Sequence, residues 1–215
     1  MRDETVIARA LDAAERVNPS VNAVLWLDRE AKAGVGPLGG VPVLVKDCID
    51  WQGRPTTHGS AVYRDAPPAA GDAGENAAFG NCRNPWDTAR ITGGSSSGSA
   101  AAVGAGIVPA AIGTDTGGSV RVPAALCGVV GLRPTLGRVS NHGVLDVSTI
   151  CDVVGPFGAT VADAARLYAA IAGYDPRDPL SFADSAALLE GMDADVKGLR
   201  VGLPRAFFYE DLQDC

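Results

Sequence analysis

Residues 93–131, GGSSSGSAAAVGAGIVPAAIGTDTGGSVRVPAALCGVVG, change pattern several times in a short interval. A polar glycine-rich loop, GGSSSGS, opens onto the small-residue run AAAVGAG, which reads as a helix over 97–106. IVPAAIG follows as a strand, TDTGGS as a second tight loop, and VRVPAALCGVVGL as a further apolar stretch. Helix and strand alternating across short loops predict an α/β fold. Upstream, VPVLVKD (41–47) is a run of β-branched and aliphatic residues bounded by glycines. It reads as a strand buried on both faces and ending at Lys46. Residues 3–17 carry Val6, Ile7, Ala10, Leu11, Ala14 and Val17 on one helical stripe, which Asn18-Pro19 terminates. A second short helix is predicted over 20–33. Downstream, VGPFG reads as a turn, 160–172 (TVADAARLYAAIA) as a clear helix, and KGLRVGLPR (197–205) as a strand. Residues 53–81 show no period strong enough for a packed element. The expectation is one domain over 1–215, with a mixed central sheet that carries VPVLV and IVPAAIG near its centre and is flanked by helices.

Composition narrows the function. The 215 residues are 47% apolar and 20% charged, which suits a globular domain and disfavours disorder or coiled coil. Lys plus Arg is 18 against 25 Asp plus Glu, a net charge of −7, with no basic run to neutralise phosphates. Direct binding of nucleic acid is not expected. The amino terminus MRDETVIARALDAAERV has no apolar signal core, and the long uncharged stretch after Arg90 is crowded with Ser and Gly. A cytoplasmic protein without a membrane span is expected. Five cysteines, at 48, 82, 127, 151 and 215, form no CxxC pair and have no nearby His pair. Buried free thiols are predicted, with neither structural zinc nor any cofactor.

Two serine-bearing glycine loops, each placed between helix and strand, invite a site in which backbone N–H groups converge on an anion or a developing oxyanion. A phosphate loop would need a lysine after Gly98, where Ser99 stands. Only His58 and His142 could serve a Ser-His-Asp arrangement, and both read as loop residues bonded locally or solvated. A serine nucleophile without histidine needs another base, and a lysine kept neutral by burial supplies one. Lys46, at the end of an apolar strand, is the candidate. Asp115 and Arg121, flanking the second loop, read as a structural ion pair or capping contacts, with attraction of a substrate carboxylate by Arg121 as the alternative, and Cys127 as a small core residue.

GGVPVLVKD, NPWD, GGSSSGSAAAVGAG, GTDTGGSVRVPAALCGVVGLRPT and VGPFGATVADAA, in this order, resemble the amidase signature family over about half the chain. The resemblance implies a catalytic Ser–cis-Ser–Lys triad. It maps onto Lys46 as base, Ser95 as the relay serine preceded by a cis peptide, and Ser119 as nucleophile. The spacing of 24 residues from Ser95 to Ser119 matches the family without a gap. Lys46 would take a proton through Ser95 as Ser119 attacks an amide carbonyl. Backbone N–H groups of Thr116, Gly117, Gly118 and Ser119 would hold the oxyanion, with Ser96, Ser97 and Ser99 in the supporting network.

The sequence departs from the family in three ways. Ser97 stands where the motif GGSSGGS has glycine. The interval from Lys46 to Ser95 is short: the helix and the strand ending in GKTN are replaced by DAPPAAGDAGEN, so a parallel strand is expected to be missing from the sheet. Family chains also continue well beyond position 215. The expectation is therefore a shortened amidase signature domain, a fragment or a degenerate copy, with self-association or a partner chain to cover what is exposed. Its reaction would be hydrolysis of a small or aromatic carboxamide. RITGGSSSG, CGVVGLRPT and LPRAFFYEDL are similar to the mandelamide and aryl-acetamide hydrolase type. Two alternatives are the glutamine-dependent amidotransferase branch, in which ammonia passes to an acceptor on a partner, and a non-catalytic α/β binding subunit.

Overall fold

The computed structural model describes residues 4–51, 56–60, 79–183, 189, 192, 194–204, 206 and 209–210. Among them the order is α1 (Glu4–Val21), β1 (Val43–Val45), α2 (Ser97–Gly104), β2 (Ala110–Asp115), α3 (Arg121–Cys127), β3 (Val130–Gly131), β4 (Val153–Gly158) and α4 (Val161–Ile171). The strands form a mixed sheet in the order β1-β2-β4-β3. β1 runs parallel to β2 with Val45 opposite Ile112, whereas β4 is antiparallel to both β2 and β3. The predicted α/β class, with a mixed sheet flanked by helices, is therefore the observed one.

The core follows from small side chains. Ala100, Ala101, Ala102 and Val103 of α2 are buried with Ala111 of β2, Phe157 of β4, Val120 and Ala124 around α3, and Ala14 and Val21 of α1. Alanines let α2 lie close to the sheet. At Gly98 a Cβ would stand 2.3 Å from the carbonyl oxygen of Ala23, so only glycine admits the 22–24 segment there.

Several local expectations are corrected. α1 passes Pro19 and ends at Val21, because the proline costs one bond in the last turn and Asn18 restrains the exit. Asn18 Oδ1 accepts the N–H groups of Ala23 and Val24 at 2.7 and 2.8 Å, while its Nδ2 donates to the Val24 carbonyl. With those N–H groups taken and Asn22 at φ +50°, no second helix forms over 20–33. β1 spans only three residues, lies at the edge of the described sheet and is half-buried, not central and buried on both faces. VGPFG is no turn: it belongs to β4, in which every residue is buried. Residues 197–204 form no strand and are exposed. Of the weak stretch 53–81, only 56–60 and 79–81 lie within the described residues, and Cys215 lies outside them.

Candidate active site

Parallel pairing of β1 with β2 continues one residue past the strand, where the Lys46 N–H donates to the Ile112 carbonyl at 3.0 Å. That register brings Lys46 to the N-terminal side of α2. Its Nζ donates to Ser95 Oγ at 2.6 Å and to Thr114 Oγ1 at 2.8 Å. The Gly94–Ser95 peptide is cis. Burial lowers the Lys46 pKa, opposed by Cys48, Asp152 and Asp115. Lowering the pKa favours the neutral amine, the form that can accept a proton from a neighbouring serine hydroxyl. A cleft of about 700 Å³ opens over Lys46 and Ser95, walled by Ile7 and Leu11 of α1, by Trp26 and by Val45.

The serines around Ser95 tie its loop to the sheet. Ser96 is the N-cap of α2 by position, yet its hydroxyl makes no capping bond. It donates instead to the Thr114 carbonyl at 3.1 Å and accepts the Thr114 N–H at 3.2 Å. Ser97 Oγ donates to the Gly93 carbonyl and Ser99 Oγ to the Ile112 carbonyl, both at 2.9 Å.

Ser119 sits half-buried in the loop between β2 and α3, and its carbonyl accepts the Ser96 N–H at 3.2 Å. Its backbone is thus bonded to the residue that follows Ser95, while no hydrogen bond among the described residues joins the two hydroxyls. The loop is shaped by Asp115. Its carboxylate accepts the N–H groups of Gly118 at 2.9 Å, Val120 at 3.2 Å and Arg121 at 3.3 Å. Arg121 adds two bonds of 3.0 Å, and Arg133 Nη1 lies at 3.2 Å. Burial pushes the Asp115 pKa up, but the Arg121 and backbone donors outweigh it and hold the group at about 2. The expected structural pair of Asp115 and Arg121 is present. One oxyanion expectation is corrected: the Gly118 N–H is spent on Asp115, which leaves Thr116, Gly117 and Ser119 as the candidate donors. Gly118 has φ +140°, a conformation that favours glycine.

Sequence reasoning did not single out Thr114, Cys48, Arg133 or Asp152. Arg133 donates to the Asp115 and Cys151 carbonyls, joining the loop to the segment before β4. Asp152 accepts the Thr116 hydroxyl and the Val147 and Ser148 N–H groups. Asp47, next to Lys46, accepts the N–H and hydroxyl of Thr57. His142 is the local loop residue expected, its N–H on Ser140 Oγ. His58 differs: it is buried, and neither ring nitrogen has a partner among the described residues. Cys48 and Cys127 are buried thiols; Cys82 and Cys151 are partly so. Among the described residues there is no group of three or more His, Cys, Asp or Glu placed to hold a metal, and no helix long and apolar enough to cross a membrane.

The profile of the family described as Amidase matches residues 5–73 and 69–214. The chain belongs to the amidase signature family. The two amidase matches meet at 69–73, inside the interval where a family strand was expected to be missing. The glutamyl-tRNA(Gln) amidotransferase A-subunit of Chloroflexus aurantiacus is 43% identical over an alignment that covers 86% of this chain and 44% of that protein. The solved structure of the same-named protein from Thermotoga maritima superposes with a TM-score of 0.78 at 36% identity, covering 84% of this chain and 46% of that one. A bacterial aryl acylamidase of the amidase signature family gives 0.75 at 33% identity, covering 86% and 47%. The chain spans about half the length of these amidase relatives.

Proposed function

We propose that this chain carries an amide-cleaving centre in which Ser119 is the nucleophile, Ser95 the proton relay and Lys46 the base. The observation that carries the reading is the 2.6 Å contact of Lys46 Nζ with Ser95 Oγ, made by an amine whose pKa burial has lowered. Ser119 Oγ forms a bond to the carbonyl carbon of a carboxamide while its proton passes to Ser95 and the Ser95 proton passes to Lys46. The carbonyl electron pair moves to oxygen, which the N–H groups of Thr116, Gly117 and Ser119 receive. Collapse breaks the C–N bond, and the departing nitrogen takes the proton back from Lys46 through Ser95. Water then cleaves the acyl ester by the same relay.

For the substrate, the amidotransferase branch is favoured over the aryl amides. Relatives named as the A-subunit of glutamyl-tRNA(Gln) amidotransferase reach 44% identity, and among solved structures the one so named is 36% identical against 33% for the aryl acylamidase. The substrate class is then a side-chain primary carboxamide such as that of glutamine, with ammonia as product. The free thiols accord with a cytoplasmic enzyme.

Fluorophosphonate labelling, run beside ammonia release from glutamine and from phenylacetamide, tests the proposal. Label on Ser119 that disappears in Ser119→Ala, with glutamine turned over faster than phenylacetamide, is the expected result. Faster turnover of phenylacetamide favours the aryl-amide reading. A folded chain that takes no label and releases no ammonia is a non-catalytic binding protein, and the proposal fails. Because the base must be neutral, the rate should fall as pH drops through the Lys46 pKa, with its acidic limb below the usual lysine range.

A further inference from the structure

Lys46 has a second partner that the proposed relay does not use. Thr114, near the end of β2, is buried, and its Oγ1 lies 2.8 Å from Lys46 Nζ and 3.5 Å from Cys48 Sγ. The Thr114 backbone is locked, since its N–H and carbonyl both engage Ser96 Oγ. We infer that Thr114, its hydroxyl steered by Cys48, is the positioning residue that keeps the Lys46 lone pair for Ser95 and takes one of the ammonium hydrogens once the proton arrives.

The hydrogens available fix this arrangement. A neutral lysine has two N–H donors and one lone pair, and a hydroxyl has one donor. The ammonium form donates to both Ser95 and Thr114; if Ser95 is to give its proton to the neutral amine, the lone pair must replace the hydrogen facing Ser95, so Lys46 keeps its donation to Thr114. The Thr114 hydrogen must then point elsewhere; were it turned to Lys46, it would occupy the lone pair and block the transfer. Cys48 Sγ is the acceptor within reach, and 3.5 Å suits a bond to sulfur. Burial pushes the Cys48 thiol up, so it stays protonated and does not compete as a thiolate for the lysine's proton. When Ser119 attacks, Lys46 becomes an ammonium, and Thr114 Oγ1 is already in place to accept from it. Other groups set the field here: Asp115 and Asp152 favour the ammonium, Asp47 follows Lys46 in the chain, and His58 comes from the 56–60 loop.

The inference rests on the proposed role of Lys46, and its test separates the two. The chain has three lysines, Lys32, Lys46 and Lys197, so the ε-carbon titration of Lys46 can be followed by NMR in lysine-labelled protein and assigned with a Lys46→Arg control. The second readout is the fluorophosphonate labelling rate of Ser119 against pH. Thr114→Val is expected to slow labelling about tenfold or more. It should also move both the Lys46 titration and the acidic limb down by about half to one pH unit, because the ammonium has lost an acceptor. Thr114→Ser should restore both. Cys48→Val should move them the same way to a smaller extent, and Cys48→Ser should leave them near wild type. Looser packing would do the opposite: water entering the site would raise the Lys46 pKa and move the limb up. A Thr114→Val limb that rises or stays in place, or a folded Thr114→Ser variant that does not recover, overturns the positioning role. An unlabelled wild type refutes the proposed nucleophile, whereas a Lys46 titration identical in wild type and Thr114→Val refutes this inference.

Discussion

At Asp115, three backbone N–H groups and three guanidinium N–H groups, from Arg121 and Arg133, converge on one carboxylate whose side chain is 0% exposed. The Ser119 loop is wound around this anion. A buried carboxylate that loses its charge strands its donors, so Asp115→Asn should destabilise the chain by about 3 kcal/mol, read by urea unfolding at neutral pH. The same site sets an acid limit. The folded pKa is depressed to about 2 from an ordinary value of 3.8. The contribution is therefore complete above the unfolded value and is lost as pH falls through the folded one. About 2 kcal/mol should disappear between roughly pH 4 and pH 2. Unfolding midpoints followed down through that range should show the loss in the wild type and not in Asp115→Asn.

Among the elements, α4 has the most complete local signal. Thr160 accepts the Asp163 N–H at 3.2 Å, and the Asp163 carboxylate accepts the Thr160 N–H at 3.2 Å, forming a capping box. Thr160→Ala should cost about 1 kcal/mol, seen as a lower urea midpoint at an unchanged slope. β4 shows the opposite case. Gly155, Pro156 and Gly158 carry turn chemistry in the sequence, yet all lie in a buried strand. The Pro156 carbonyl accepts the Leu132 N–H at 3.0 Å, so the proline's missing N–H faces β3, whose ladder is only two residues long, and costs β2 nothing. The glycines serve close approach. A Cβ on Gly155 would stand 2.4 Å from the Leu132 carbonyl oxygen, and one on Gly158 would stand 2.3 Å from the Ala164 nitrogen. Gly158→Ala should therefore prise α4 from the sheet and lower stability more than Thr160→Ala does.

Across the whole molecule, apolar side chains remain in water along one stretch of surface. Val122 and Leu126 of α3 are 47% and 45% exposed, and Trp86, packed beside Gly128 at the end of that helix, is 73% exposed. β1 adds an open strand edge among the described residues. At about 25 cal/mol per Å², covering a few hundred Å² of such surface is worth several kcal/mol. The chain should accordingly self-associate at micromolar concentration in size-exclusion chromatography with light scattering, and Leu126→Lys should shift it towards monomer. A sharp monomer peak with cooperative unfolding would count against this expectation.

The sequence alone was enough to determine the α/β class and the helices under α1, α2 and α4 from local periodicity, whereas the pairing of Lys46 with Ser95 came from resemblance to the amidase signature motifs, although the interval between the two residues departs from the family. The two glycine loops named their serines through the same resemblance. Tertiary structure decided the rest. Whether GPFG turns or extends depends on how closely Leu132 and Ala164 approach it, which the tetrapeptide cannot encode. Thr114 meets Lys46 across 68 residues only because Val45 pairs with Ile112 in one register, and a shift of one residue would send that hydroxyl to the other face. The Gly118 N–H, open to an oxyanion in the sequence reading, is taken by Asp115, since a buried carboxylate claims the nearest donors before any ligand arrives.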